Sequence, residues 1–487
     1  VIKQDYKNGK LIFRRMGWMG NSLFRKKSID QLIAATRGEK ALKKELGAFD
    51  LTMLGIGAII GTGIFVLTGT GAVTAGPGLV LSFVIAGLAC LFAALAYAEF
   101  ASTVPVSGSV YTFTYATMGE LLAFIIGWDL ILEYMLAASA VSAGWSGYFV
   151  SFLNGIGLHI PLELTAAPGT LKDQTTYFNL PAFLILMGIT FLLYFGIKES
   201  KRINNFMVIV KIIVILLFII VAFKYVKPDN WTPFMPFGFS GVFGAAALVF
   251  FAFIGFDAVS SAAEETKNPA RDLPRGIIFS LVICTFLYVI VSAIMTGIVP
   301  FMQFEGISHP VSLVLQVAGQ NWVAGIVDIG AILGMTTVML VMLYGQTRIM
   351  FAMSRDGLVP KVLSKVHSKY KTPYINTLFF GTLSALMGGL IPLDELASLV
   401  NIGTLSAFIL ISVAVIVMRK TQPDLPRAFR CPGVPYIPIL AIVSCGVLIL
   451  NLNGQTFIRF IIWLVIGMAV YFLYSRKNSL LNRDTEK

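Results

Sequence analysis

Charge is scarce in this chain of 487 residues: 13% of it is Asp, Glu, Lys or Arg, while 57% is hydrophobic. A soluble globular domain carries roughly twice that share of charge, about 25%, so a water-exposed globule is excluded. Cysteine is scarce too. Cys90, Cys284, Cys431 and Cys445 are scattered, with no CxxC pair and no even framework, which argues against a disulfide scaffold and against zinc. The histidines His159, His309 and His367 fall in separate loops without metal-ligand spacing, so neither a metal nor a cofactor is read. No nucleophile motif and no paired acids on a loop point to an enzyme. The first 46 residues lack the apolar core that a cleavable signal peptide needs. They carry Arg14-Arg15, Arg25-Lys26-Lys27 and Lys43-Lys44, and two expectations stand side by side: an amphipathic helix on an anionic membrane surface, or a solvated tail. The net charge of +12 is no footprint of nucleic acid, because the positive residues stand at the ends of apolar runs and so carry topology information.

Long apolar runs fill the rest. Mean hydropathy is +0.82, and at about 20 residues per span this length holds roughly a dozen membrane helices. Reading between charges and Pro/Gly punctuation gives spans at 49–71, 77–100, 119–153, 180–197, 203–224, 239–264, 276–300, 322–352, 374–391, 395–418, 436–453 and 457–475. An even number puts both termini on one side. Loops on that side hold Lys198, Lys201, Arg202, Lys267, Arg271, Arg275, Arg348, Arg355, Lys361, Lys365, Lys369, Lys371, Arg419, Lys420, Arg427 and Arg430. The opposite loops hold little beyond Lys172, Lys224, Lys227 and Arg459, so both termini are expected in the cytoplasm of a multi-pass plasma-membrane protein. Short interfacial helices are expected over Pro105–Met118 and over Ser354–Lys371.

The most informative stretch lies in the first span, inside an uncharged run from Leu51 to Phe92: Gly55-Ile56-Gly57-Ala58-Ile59-Ile60-Gly61-Thr62-Gly63-Ile64-Phe65. Each glycine weakens a helix by about 1 kcal/mol relative to alanine. In hydrocarbon such weakness is tolerated where the freed N–H and C=O groups face protein, water or a ligand. A helix broken at mid-membrane is a pointer to a transporter's binding site. One half offers N–H groups to a carboxylate and the other bare carbonyls to an ammonium, which suits a free amino acid. Close helix packing by small residues is the competing reading. A dinucleotide fingerprint beginning at Gly55-x-Gly57 fails, since no soluble strand precedes it and the first acid after Asp50 is Glu99. The sixth span repeats the theme: Gly255, Asp257, Ser260 and Ser261 interrupt Val249-Phe250-Phe251-Ala252-Phe253-Ile254. Breaks in spans one and six stand at corresponding positions of a five-plus-five inverted repeat.

Gly57-Ala58-Ile59-Ile60-Gly61-Thr62-Gly63-Ile64-Phe65 resembles the first-helix signature of the amino acid–polyamine–organocation superfamily. Phe251-Ala252-Phe253-Ile254-Gly255-Phe256-Asp257, followed by Glu264-Glu265-Thr266-Lys267-Asn268-Pro269, resembles its sixth-helix signature. Three further stretches resemble the cationic amino acid transporter branch: Tyr97-Ala98-Glu99-Phe100, Gly119-Glu120-Leu121-Leu122-Ala123-Phe124-Ile125-Ile126-Gly127-Trp128 and Ala352-Met353-Ser354-Arg355-Asp356-Gly357-Leu358. The resemblance runs from about Leu46 to the C-terminus, and its twelve spans, without the extra C-terminal helices of the animal branch, point to a bacterial homologue.

The resemblance implies an all-α polytopic LeuT-type fold: five-plus-five inverted repeats, broken helices 1 and 6, two peripheral helices and alternating access. It divides the chain into a basic segment 1–46, a first repeat 47–225, a second repeat 226–420, and peripheral helices with a tail over 421–487. It also implies that Thr62 and Gly63 offer N–H groups to the substrate carboxylate, while Ile59, Phe251, Ala252 and Ile254 offer carbonyls to its amino group, with Phe251 closing over the substrate. Gly61 and Met342 complete the expected substrate-binding set. In span eight Gly334, Met335, Thr336, Met339 and Met342 are candidates for a side-chain pocket whose methionines suit neutral substrates.

Ionisable residues inside spans are functional candidates by default. Lys211 matches a lysine of proton-coupled superfamily members, at the place of a sodium site in sodium-coupled relatives, where its ammonium ties span one to spans five and eight. Snorkelling to the interface is the alternative. Glu133, one turn after Asp129 on span three, is expected to carry a proton, face a basic substrate side chain, or bond a neighbouring helix. Asp257 is expected to cap the second half of span six or to bridge to another core helix, and Asp328 to cap span eight.

The reading is a secondary transporter of L-amino acids, proton-coupled, with Lys211, Glu133, Asp257 and Phe251 in coupling and gating. A cationic amino acid uniporter or exchanger and a non-transporting amino acid receptor are the alternatives. The partners read are a small neutral or cationic amino acid, protons and membrane lipid, with no nucleic acid. Whether a sterol-like lipid or a small single-span membrane peptide sits on the peripheral helices is left open.

Overall fold

The structure is a computed structural model that describes residues 23, 25–27, 44–103, 109–171, 175–196, 201–421, 423–424, 427 and 429–483. Most of the basic segment 1–46, together with Pro105, Lys172 and Lys198, lies outside the described residues. Among the described residues the regular elements are helices, apart from one parallel bridge between Leu46 and Thr266.

The first span is α1 (Ala48–Ile59), which breaks at 60–61 and resumes through a π turn (Gly63–Leu67) into α2 (Thr68–Ala75). Next along the chain are α3 (Leu79–Thr103), the short α4 (Ser109–Thr117), α5 (Glu120–Gly155), α6 (Leu180–Phe195) and α7 (Lys201–Ala222). The sixth span is α8 (Gly238–Val249), a 3-10 turn (Phe250–Phe253), a break at 254–257 and the single turn α9 (Ala258–Ser261). Then come α10 (Pro269–Ile298), α11 (Pro310–Val317), α12 (Asn321–Arg355), α13 (Tyr374–Leu390), α14 (Leu393–Thr421), α15 (Tyr436–Leu450) and α16 (Gly454–Val470). Among the described residues seven helical segments are long and apolar enough to cross a membrane, and the shorter apolar helices complete the expected spans. The chain is therefore a multi-pass, all-α membrane protein.

Helix pairing carries the repeat. Span two packs on seven (α3 on α10), three on eight (α5 on α12), four on nine (α6 on α13), and the broken first span on the broken sixth (α2 on α8, α1 on α9). Each partner is five spans along the chain, the pattern of two intertwined five-helix repeats. The α5–α12 pair forms the axis of the bundle. At 36 and 35 residues each runs about 50 Å at 1.5 Å per residue, longer than a ~30 Å hydrocarbon core. Small residues let the two helices close up: Gly127 faces the Met353 sulfur and Gly345 faces the Tyr134 ring.

One expected element is absent. Between α12 and α13 the chain makes a 3-10 turn at Lys361–Ser364 and otherwise runs as loop, in place of a surface helix over Ser354–Lys371. Gly357 at φ +81° ends α12, and Pro360 and Pro373 interrupt the stretch between the two helices. Asp328 is a second correction. It lies seven residues inside α12, buried, and accepts a hydrogen bond from the Ser151 hydroxyl at 3.1 Å, so it ties α5 to α12 and caps nothing.

Candidate functional site

The two breaks face each other at the centre of the bundle. α1 ends where Ile60 takes an extended ψ of 105°, and the N–H groups that open the next half-helix, Thr62 and Gly63 among them, have no carbonyl a turn earlier. Two glycines allow the contact. A Cβ on Gly63 would lie 2.3 Å from the Ala252 Cα, and Gly255, at φ +114°, would set its Cβ 2.9 Å from the Ala58 carbonyl oxygen. No larger residue fits either place without pushing the broken helices apart.

A pocket opens beside this contact. Its walls are Ala58, Ile59, Gly61, Thr62 and Gly63 from the first break, Phe251 and Ile254 from the second, Ala137 and Val141 from α5, and Val338 and Met342 from α12. The lining side chains are apolar apart from the Thr62 hydroxyl, which donates to the Met335 sulfur at 3.4 Å. Among the described residues no ionisable side chain is in this lining. Backbone dipoles of the two breaks thus meet an apolar chamber, an arrangement that suits a zwitterion with an uncharged side chain.

Most of the expected substrate-binding set lines this pocket: Ile59, Gly61, Thr62, Gly63, Phe251, Ile254 and Met342. Ala252 does not. Its carbonyl accepts a hydrogen bond from the Tyr288 hydroxyl at 2.8 Å, and the same hydroxyl lies 3.1 Å from the Ile59 carbonyl. The other span-eight candidates also stand outside the lining: Gly334 packs on the Lys211 stem, and Thr336 accepts from the Trp145 indole at 3.0 Å. Met339 is buried away from the lining. Ala58, Ala137, Val141 and Val338 are lining residues that were not expected from the sequence, ordinary apolar side chains in apolar helices.

Lys211 does not snorkel. It is 1% exposed, and its ammonium donates to the carbonyls of Gly57 at 2.7 Å and Ile60 at 3.1 Å. With its stem against Gly334, it joins α1, α7 and α12. The acids gather apart from the pocket. Asp257 accepts from the Tyr134 hydroxyl at 3.1 Å and gives α9 no side-chain cap, so it bridges to α5. Glu133 is buried on α5, 3% exposed. Asp129 presses on Gly403, where a Cβ would meet its Oδ1 at 2.6 Å, and that oxygen has no hydrogen-bond partner. Glu133 is not among the described residues that line the pocket.

Residues 46–474 match the family model described as amino acid permease. The chain is 78% identical to the branched-chain amino acid permease BcaP of Bacillus subtilis, over 96% of this chain and 100% of that protein. It is 55% identical to the methylthioribose transporter of the same organism, over 95% of this chain and 100% of that one. With cationic amino acid transporter 4 of Mus musculus the identity is 37%, over 81% of this chain and 63% of the relative.

Proposed function

The chain belongs to the amino acid permease family, and from that premise we propose that it carries neutral L-amino acids with aliphatic side chains by proton-coupled alternating access. The observation that carries the substrate class is the pocket: backbone dipoles of two broken helices beside walls of Ala137, Val141, Val338, Met342, Ile254 and Phe251, with no ionisable side chain. Guanidinium or ammonium side chains would find no counter-charge there and would lose their hydration. The name of the 78% identical relative supports an aliphatic substrate. Proton coupling is supported by a buried lysine bonded to carbonyls of the first break, where its charge state bears on how that half-helix is held. The basic loops on the side of the termini support a cytoplasmic location for both ends in a plasma membrane.

Uptake into proteoliposomes tests the reading. Labelled leucine, alanine and arginine are offered with and without an inward proton gradient, and methylthioribose is added as competitor because of the 55% identical relative. Gradient-driven accumulation of leucine or alanine that arginine does not compete is the expected result. Arginine uptake without gradient dependence would indicate a cationic facilitator, and binding without flux a receptor. Competition by methylthioribose at concentrations below those of leucine would move the substrate class from amino acids to thiosugars.

A further inference from the structure

We infer that Tyr288 is a positioning residue that holds the two helix breaks at one spacing, so that the N–H half and the carbonyl half of the pocket act as a single site for a two-ended ligand. The inference rests on the reading of the pocket as an amino acid site. Tyr288 lies on α10, fully buried, with its ring packed at 5.3 Å between centroids against both Phe83 of α3 and Phe253 of the second break. That packing fixes where the hydroxyl points. It reaches the Ile59 carbonyl of the first break at 3.1 Å and the Ala252 carbonyl of the second at 2.8 Å. A hydroxyl has one hydrogen, so two carbonyls from different breaks share one donor, and neither can move away without giving it up.

Other contacts at the breaks do less. Gly63 against Ala252 and Gly255 against Ala58 set how closely the breaks approach, and van der Waals contact resists compression, not separation. Lys211 binds carbonyls of the first break alone, and Tyr134 bonds to Asp257 of the second. Tyr288 is absent from the pocket lining, so it acts through the backbone that the ligand touches. Loosening that tie costs a ligand that needs both halves at a fixed distance, because preorganisation is lost. A ligand anchored at one half is spared.

Tyr288→Phe keeps the ring and removes the hydroxyl. Three probes are measured by competition binding to the purified full-length protein: leucine, 4-methylpentanoate (the same skeleton without the ammonium) and 3-methylbutylamine (the same without the carboxylate). We expect leucine to bind at least tenfold more weakly to the variant, with the two single-ended analogues changed by less than twofold and the melting temperature within a few degrees of the parent. Equal weakening of all three probes, or unchanged leucine binding, would overturn the role. If leucine binds the unaltered protein no more tightly than its single-ended analogues, the amino acid reading of the pocket fails first, and the role given to Tyr288 falls with it.

Discussion

At the scale of single residues, Lys211 and Gly63 do opposite things to the same half-helix. Lys211 spends two of its donors on the carbonyls of Gly57 and Ile60, and among the described residues no carboxylate is within ion-pair distance of it. Its charge is therefore matched by dipoles alone, an arrangement sensitive to whether the amine is protonated. Lys211→Ala leaves two buried carbonyls unpaired, at about 1–3 kcal/mol each, without touching the pocket walls. The expected outcome is retained leucine binding and counterflow exchange, with gradient-driven accumulation lost. Uptake that keeps its pH dependence in the variant would take Lys211 out of the coupling. Gly63→Ala acts by shape. The new methyl would sit 2.3 Å from the Ala252 Cα, a clash with backbone that no rotamer relieves. Leucine binding is expected to fall by at least two orders of magnitude in calorimetry while the protein still inserts and purifies, because the strain falls on the breaks and not on the bundle.

At the scale of elements, a buried carboxylate pins the loop after α14 to the end of α3. Glu99 is fully buried. Arg419 grips it through two hydrogen bonds of 2.8 Å each, Arg427 pairs with it at 3.1 Å, and the Cys431 backbone N–H donates to it at 2.8 Å. Removing one partner of a buried pair leaves the others uncompensated, at a cost of about 3–5 kcal/mol. Glu99→Gln is expected to lower the melting temperature in detergent clearly while leucine affinity stays within twofold, since none of these residues lines the pocket. An unchanged melting temperature would show that the clamp is dispensable. Helix boundaries were legible in the sequence because charges and Pro/Gly punctuation bound the apolar runs, and both breaks were legible because glycine is the feature that makes them. The hydroxyl of Tyr288 was not. One tyrosine in an apolar helix says nothing of which neighbour it faces, and that depends on how α10 rotates against α3 and the second break. The loop between α12 and α13 departs from the expected surface helix because Gly357, at φ +81°, ends α12 and Pro360 removes a backbone donor from the stretch that follows.

At the scale of the whole molecule, four distant parts of the chain converge on the face that carries the described terminal residues. Asp356, after α12, accepts from Lys27 and from the Tyr111 hydroxyl, both at 2.6 Å, and its carbonyl accepts the Leu480 N–H at 3.1 Å. Glu120, at the start of α5, collects hydroxyls from Tyr115 at 3.0 Å, Ser479 at 2.6 Å and Tyr471 at 3.3 Å. Arg25 reaches Asn482 at 2.6 Å. These contacts lash the described residues near both termini across α4 and α12, and the alternating access proposed above would require this face to open. Asp356 is buried while its partner Lys27 is partly exposed, so Asp356→Ala removes an ion pair and a buried hydrogen bond worth together about 1–3 kcal/mol, a factor of roughly 5–150 in a two-state population. The shift can be read with a cysteine placed at Val338 in the pocket wall, labelled from this face by a membrane-impermeant thiol reagent. Background labelling is low, because the native cysteines are buried and burial pushes the loop thiol of Cys431 up to about 12. Labelling at Val338→Cys is expected to speed up by that factor when Asp356 is replaced, and to slow again when leucine is added. Equal rates with and without Asp356 would mean that the lashing of the termini holds the fold and plays no part in choosing which face is open.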